Sequence, residues 1–264
     1  VDDPCYFNFH ALLRAHRAKV VGVPYTRTGP DIATFASVLS EHQPRVYITN
    51  SGVHNPTGAA LSPVTAHQVL KLAEDAHLTI IEDDIFADFE HLAAPRLASF
   101  DGLQSVVHIG SFSKTLSASI RCGFIAARQD WIEALVDLKI ATSFGGGRFN
   151  AELVLRTLRD GGYRKQMERL RQRLSVARAD VTRHLRAVGI EPWLDPDAGM
   201  FLWCKLPDGT DATDLANSAL AENIVLAPGN VFSLSQTAQR FMRFNVSQSQ
   251  DRRLFDFLRA RLGR

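Results

Sequence analysis

Cysteine is scarce in these 264 residues, and the three present, Cys5, Cys122 and Cys204, are scattered with no C-x-x-C pair among them. An odd, dispersed set excludes a disulfide-stapled secreted framework and fits a reducing cytoplasm. No His/Glu cluster has the spacing of zinc ligands, so no metal site is expected. No run of eighteen apolar residues exists, which excludes a membrane-spanning helix. Charge of one sign is missing too: 30 Lys and Arg against 28 Asp and Glu leave +2, no footprint for direct nucleic-acid binding by this segment. Low-complexity tracts and internal repeats are absent. What remains is an ordinary globular mix, 45% hydrophobic and 22% charged, long enough to bury one large or two modest cores. The opening Val1-Asp2-Asp3-Pro4 has no initiator methionine, signal peptide or helix cap and reads as the tail of a strand, so a fragment of a longer protein is the expectation.

The hydrophobic pattern alternates between helix and strand periods. Phe9 to Arg17 fits a helix, Lys19 to Val23 a strand, Asp31 caps a helix through Leu39, and Arg45 to Thr49 is the next strand. Ser62-Pro63 supplies a cap with proline at the first helical position, Val69, Leu72, Ala73 and Ala76 share one face, and Leu78 to Ile81 follows as strand. Such units imply a largely parallel sheet with helices on its faces. Ser105 to Ile109 and Cys122 to Ala127 read as further strands, and a helix starts near Asp130. Gly145-Gly146-Gly147 then breaks the pattern, because three glycines cost too much chain entropy inside an element. The break divides the chain into a large domain over 1–147 and a small C-terminal α/β domain over 148–264. In the second, Arg164 to Val188 carries Met167, Leu170, Leu174, Ala177, Val181 and Leu185 as an apolar stripe, its arginines mainly on the solvated face. Met200 to Cys204 and Phe241 to Val246 read as strands, Asp211 to Glu222 and Arg252 to Leu262 as helices.

Polar residues gather where strands end. After the strand Ser105 to Ile109 comes Gly110-Ser111-Phe112-Ser113-Lys114-Thr115-Leu116, then Arg121. A lysine flanked by hydroxyls and followed by arginine can hold a carbonyl cofactor covalently while Ser111, Ser113 and Arg121 hold an anion. The same tetrapeptide alone is also compatible with a solvated loop lysine and a surface arginine. His54-Asn55-Pro56-Thr57-Gly58 follows another strand, where Asn55 could equally serve an Asn-Pro turn. Glu82-Asp83-Asp84-Ile85-Phe86 ends the strand Leu78 to Ile81, and any of its carboxylates could face a ligand or cap a turn. In Phe241 to Val246 strict alternation puts Met242, Phe244 and Val246 on one face and Arg243 on the other, either gripping a carboxylate or lying on a sheet edge.

In this order the four stretches resemble the class I/II aminotransferases of fold type I, and most closely the aminotransferase-like domain of MocR-type regulators of the GntR family. The resemblance spans the whole chain. It implies pyridoxal 5'-phosphate as cofactor, bound as a Schiff base on Lys114, which also moves the substrate's α-proton. It implies that Asp83, the first aspartate, faces the pyridine nitrogen, keeping it protonated so that the ring is an electron sink. Asn55 is implied to bond the phenolic oxygen, Tyr6 to stack on the ring, Ser111, Ser113 and Arg121 to form the phosphate cup, and Arg243 to clamp the substrate carboxylate. Asn55 would also touch the substrate side. Phe86 departs from the family, many members of which have a tyrosine there that supports the same phenolic oxygen. The family's upstream Gly/Ser-rich phosphate loop and N-terminal arm are not in this sequence.

Two functions follow from the resemblance. One is an aminotransferase moving an amino group between an amino acid and a 2-oxo acid, a homodimer in the cytoplasm. The other is the effector-sensing domain of a MocR-type transcription regulator, whose winged helix lies outside this sequence.

Overall fold

The computed structural model describes residues 1–263, and its elements follow the caps and breaks of the sequence. A short strand β1 (Asp2–Asp3) leads to helix α1 (Phe7–Ala15), then to β2 (Val23–Thr26) and β3 (Gly29–Pro30). Asp31 starts α2 (Ile32–His42) by accepting from the Thr34 backbone N–H at 2.8 Å. After β4 (Val46–Thr49), Ser62 caps α3 (Pro63–Asp75) in the same manner. β5 (Thr79–Asp83), α4 (Leu97–Asp101), β6 (Val106–Ser111), β7 (Gly123–Ala126) and α5 (Gln129–Ser143) complete the first half. Strands β4, β5 and β6 run parallel in that order and β7 joins antiparallel, while β1, β2 and β3 form a small separate sheet. One face of the larger sheet is packed by α2 and α3: Phe35, Leu39, Ala66, Val69 and Ala73 meet Tyr47, Ile80 and Val106 in a single core. The opposite ends of these strands carry the polar loops.

A glycine-rich connection links α5 to α6 (Arg148–Arg159), and α7 (Gly162–Ala187) follows. Then come β8 (Glu191–Pro192), β9 (Phe201–Lys205), α8 (Ala212–Ala221), β10 (Ala227–Pro228), β11 (Phe241–Asn245) and α9 (Arg252–Leu262). The second sheet is antiparallel, in the order β10-β11-β9-β8. The predicted stripe of α7 buries Met167, Leu174, Ala177, Val181 and Leu185 against Leu202, Cys204, Met242 and Phe244 of the sheet and Leu254, Phe255 and Leu258 of α9. Val53, Phe86 and Phe89 from the first half enter this second core. The loops following β4 and β5 are thereby clamped between both halves. Among the described residues no helix is long and apolar enough to cross a membrane.

Several expectations shift. Of the strand predicted over Lys19 to Val23 only Val23 is in the ladder, because β1 pairs opposite Val23 and Pro24 and β3 extends the pairing through Tyr25 and Thr26. Helix α1 begins at Phe7 rather than Phe9 and ends at Ala15. α6 was not anticipated as a helix of its own. β7 is the exposed edge of its sheet, with Phe124 and Ile125 open to solvent.

Candidate active site

Tyr6, Asn55, Asp83, Lys114 and Arg243 line one cavity of about 250 Å³, together with Asn50, Phe86, Met200 and Phe201. These residues come from places far apart in the chain, and the register of the two sheets brings them together. Asp83 is the last residue of β5, opposite Ile109 of β6. Its Oδ1 accepts from the Ile85 backbone N–H at 3.2 Å. Burial pushes its carboxyl above the ordinary range, opposed by that N–H and by the positive neighbours His108 and Lys114.

Strand alternation and pairing settle which carboxylate of Glu82-Asp83-Asp84 is available. Glu82 is fully buried and accepts from the backbone N–H groups of Leu97 and Ala98 at the start of α4, at 2.8 and 3.0 Å, with His108 at 3.4 Å. Burial works against its charge, but these donors hold it below the usual glutamate range. Asp84 pairs with Arg96 at 2.5 Å, and Arg96 in turn binds Glu90 at 2.5 Å. Both flanking acids are therefore committed elsewhere, and only Asp83 reaches the cavity.

Arg243 projects from the middle of β11 on the face opposite the buried Met242 and Phe244, as alternation predicts. Its guanidinium carbon lies 4.1 Å from the centre of the Phe201 ring and 4.6 Å from that of the Phe232 ring, a cation–π contact with each. Nη1 donates to Asn55 Oδ1 at 2.8 Å, and the buried Nε has no partner. No carboxylate among the described residues pairs with it, and burial pushes its pKa down to about 10. A desolvated cation with an open edge is a receptor for an anion. Because Asn55 Oδ1 is taken by Arg243, the amide N–H₂ is the group left for a ligand. Asn50 donates to the Asp83 carbonyl at 2.9 Å, and its own Oδ1 is buried without a partner.

Lys114 follows β6 on the loop and is solvent-exposed. Tyr6 sits at the N-cap position of α1, edge-on to Phe7 at 4.9 Å and Phe9 at 5.5 Å. Phe86 is 3% exposed, edge-on to Phe201 at 5.6 Å. Ser111, Ser113 and Arg121 are not in this cavity. They line a neighbouring, more open one of about 660 Å³, whose apolar wall is Phe124 of β7 with Ile132 and Leu135 of α5. Arg121 is exposed in a left-handed conformation (φ 44°) and has no acidic partner among the described residues. The loop thus splits its polar residues, with Lys114 in one cavity and the anion-binding candidates in the other. Sequence patterns gave no warning of Asn50, Phe201 or Phe232. Their only signals are positions: Asn50 immediately follows β4, and Phe201 sits opposite Asn245 in the β9–β11 ladder.

The chain is 28% identical over 239 residues to the HTH-type transcriptional regulator YdfD of Bacillus subtilis, covering 88% of this chain and 49% of YdfD. It is 29% identical over 275 residues to the 2-aminoadipate transaminase of Thermus thermophilus, covering 100% of this chain and 68% of that enzyme. The chain therefore spans about half to two thirds of the length of these relatives. Among solved structures it superposes on LysN, the α-aminoadipate aminotransferase of Thermus thermophilus complexed with N-(5'-phosphopyridoxyl)-L-leucine, with a TM-score of 0.89 at 25% identity, covering 99% of this chain and 71% of that one. The fold is that of the fold type I pyridoxal-phosphate aminotransferases. The profile of the aminotransferase class I and II family runs from residue 1 to 258, from β1 into α9, and so takes in both cores and every wall of the cavity: the chain belongs to that family.

Proposed function

We propose that this chain binds pyridoxal 5'-phosphate on Lys114 and exchanges amino groups between an amino acid and a 2-oxo acid. The observation that carries the reading is the half-buried Arg243, its Nε buried without a partner and no carboxylate beside it among the described residues, facing the same cavity as Lys114 and Asp83. The residues fit the group: the orphaned Arg243 Nε and Asn50 Oδ1 are polar atoms that a ligand would satisfy. When bound, the cofactor supplies an aldehyde for an amine and a ring that accepts negative charge.

Each side chain then has a defined task. Lys114 Nζ would hold the aldehyde carbon until a substrate amine takes its place there, and the amine so freed would take the proton from the substrate's α-carbon. Asp83 would keep a proton on the ring nitrogen by pairing with it. The Asn55 amide donates to the phenolic oxygen, and Tyr6 stacks on the ring. Ser111, Ser113 and Arg121, which line the neighbouring cavity, would take the phosphate. Arg243 would present its free N–H groups to the α-carboxylate, with the Phe201 and Phe232 rings packed against the guanidinium. The division between the halves falls near Gly145–Gly147. The working form is a cytoplasmic homodimer, with no direct nucleic-acid contacts from this segment; the exposed Phe144, Phe149 and Leu153 around the α5–α6 connection are apolar surface that a second copy would cover.

A second reading has its own support in the match to half of the HTH-type regulator YdfD. There, amino-acid capture at the same residues biases a conformational equilibrium read by a DNA-binding segment. Single-turnover assays on the cofactor-loaded protein decide the activity: stoichiometric 2-oxo acid release from one of a panel of amino acids supports the enzyme, and none from any contradicts it. The coding sequence upstream separates the parents, a winged-helix segment marking the regulator.

A further inference from the structure

The loop carrying Asn55 has no regular secondary structure, yet Asn55 is only 4% exposed and its amide meets Arg243 at 2.8 Å. The neighbouring His54 explains why this position holds. His54 is fully buried, its ring lying flat on Tyr25 with centroids 3.7 Å apart and planes 13° apart. Nδ1 is 2.7 Å from the Thr57 hydroxyl. Nε2 is 3.3 Å from Oδ2 of Asp2, a close polar contact although off the line of a good hydrogen bond. Asp2 is itself fully buried and accepts from the Tyr47 hydroxyl and, at 2.8 Å, from the Thr49 hydroxyl, both on β4. Backbone bonds from the His54 N–H to the Ala59 carbonyl (2.9 Å) and from the Gly58 N–H to the His54 carbonyl (2.7 Å) close the loop.

An apolar ring would fill the space over Tyr25 without the desolvation cost of an imidazole and a carboxylate. The polar pair adds direction instead, since it ties the ring to the end of β4 on one side and to the loop's own Thr57 on the other. We propose that Asp2, His54 and Thr57 form a positioning strut that holds the Asn55 amide in register with the cavity, so that His54 influences the cofactor only through Asn55. This rests on the reading of Asn55 as the donor to the cofactor's phenolic oxygen. A donor there stabilises the phenolate and lowers the pH at which the cofactor's visible band changes, so a loosened strut raises that midpoint.

The test uses the full chain loaded with pyridoxal phosphate, with His54→Phe, which keeps a flat ring on Tyr25, and Thr57→Val with Thr57→Ser as its conservative rescue. Cofactor Kd, the pH midpoint of the visible band and Tm are measured in wild-type and Asn55→Ala backgrounds. His54→Phe is expected to weaken cofactor binding about tenfold, the loss of roughly one hydrogen bond to a charged group, and to raise the midpoint. Thr57→Val moves both the same way by less, Thr57→Ser restores them, and in the Asn55→Ala background neither change adds anything. Equal effects in both backgrounds, or a fall in Tm with Kd and midpoint unmoved, would overturn the strut. Should His54→Phe not fold, Thr57→Val carries the comparison. If Asn55→Ala alone leaves the midpoint in place, the role of Asn55 fails first, an outcome distinct from failure of the strut.

Discussion

Replacing Arg243 with methionine should make the protein more stable and less able to bind substrate. A guanidinium held near 10 rather than 12.5 carries roughly 3 kcal/mol of disfavoured charge in the folded state, at about 1.4 kcal/mol per pKa unit. Losing the bond to Asn55 Oδ1 costs about 1 kcal/mol, and losing the cation contacts with Phe201 and Phe232 about another 1, partly repaid by a methionine sulfur against the same rings. The balance is a gain of about 1 kcal/mol, or about 2 to 4 °C in Tm for a chain of this size. The opposite sign holds for ligand. A carboxylate on the open edge makes charge-assisted hydrogen bonds worth about 1.5 to 3 kcal/mol each, so loss of two weakens 2-oxo acid binding at least about a hundredfold. Thermal melts of the cofactor-loaded protein, with and without pyruvate or 2-oxoglutarate, read both effects in one experiment. Wild type should melt higher with a 2-oxo acid, and Arg243→Met should melt higher than wild type without it and gain nothing on adding it. A variant that melts several degrees lower and still responds to 2-oxo acid would refute the reasoning, because Arg243 would then be a structural cation.

Other outcomes follow from the same geometry. Phe86→Tyr adds a second donor beside Asn55 and should lower the pH midpoint of the cofactor's visible band by about one to two pH units, whereas Asn55→Ala should raise it; absorbance titration checks both, and an unmoved midpoint would take position 86 away from the cofactor. The Glu82 hydrogen bond raises the His108 pKa above its ordinary 6.5. The stability this gives is complete below that value and lost as pH rises through the folded pKa, so urea midpoints of wild type should decline above pH 6.5 and those of His108→Gln should decline less. Leu202→Ala, at a fully buried site in the second core, should cost about 2 to 5 kcal/mol in denaturant melts, while Leu92→Ala, 90% exposed, should cost almost nothing.

Elements whose ends are written in side chains were legible from sequence. The Asp211 and Asp251 carboxylates accept from the first N–H groups of α8 and α9, and both helices fall within a residue of the expected spans. β11 alternates as read, because one face had to enter a core. Lys19 to Val23 misled because an apolar run specifies burial, whereas membership of a ladder depends on where its partner lies. The choice among Glu82, Asp83 and Asp84 could not be made from the triplet; it depends on Glu82 lying opposite His108 and on Arg96, twelve residues beyond Asp84, reaching back to it. Likewise, Ser111, Ser113 and Lys114 are near neighbours in sequence yet open into different cavities. Asp2 carried no signal at all, since its partners Tyr47, Thr49 and His54 are brought to it only by the fold.

The central claim is that Lys114 holds the cofactor, and borohydride reduction of the protein incubated with pyridoxal phosphate, followed by peptide mass mapping, tests it most directly. The account predicts a single phosphopyridoxyl adduct on Lys114, lost in Lys114→Ala. Recovery of the adduct on another lysine, or an undiminished yield from Lys114→Ala, would contradict it.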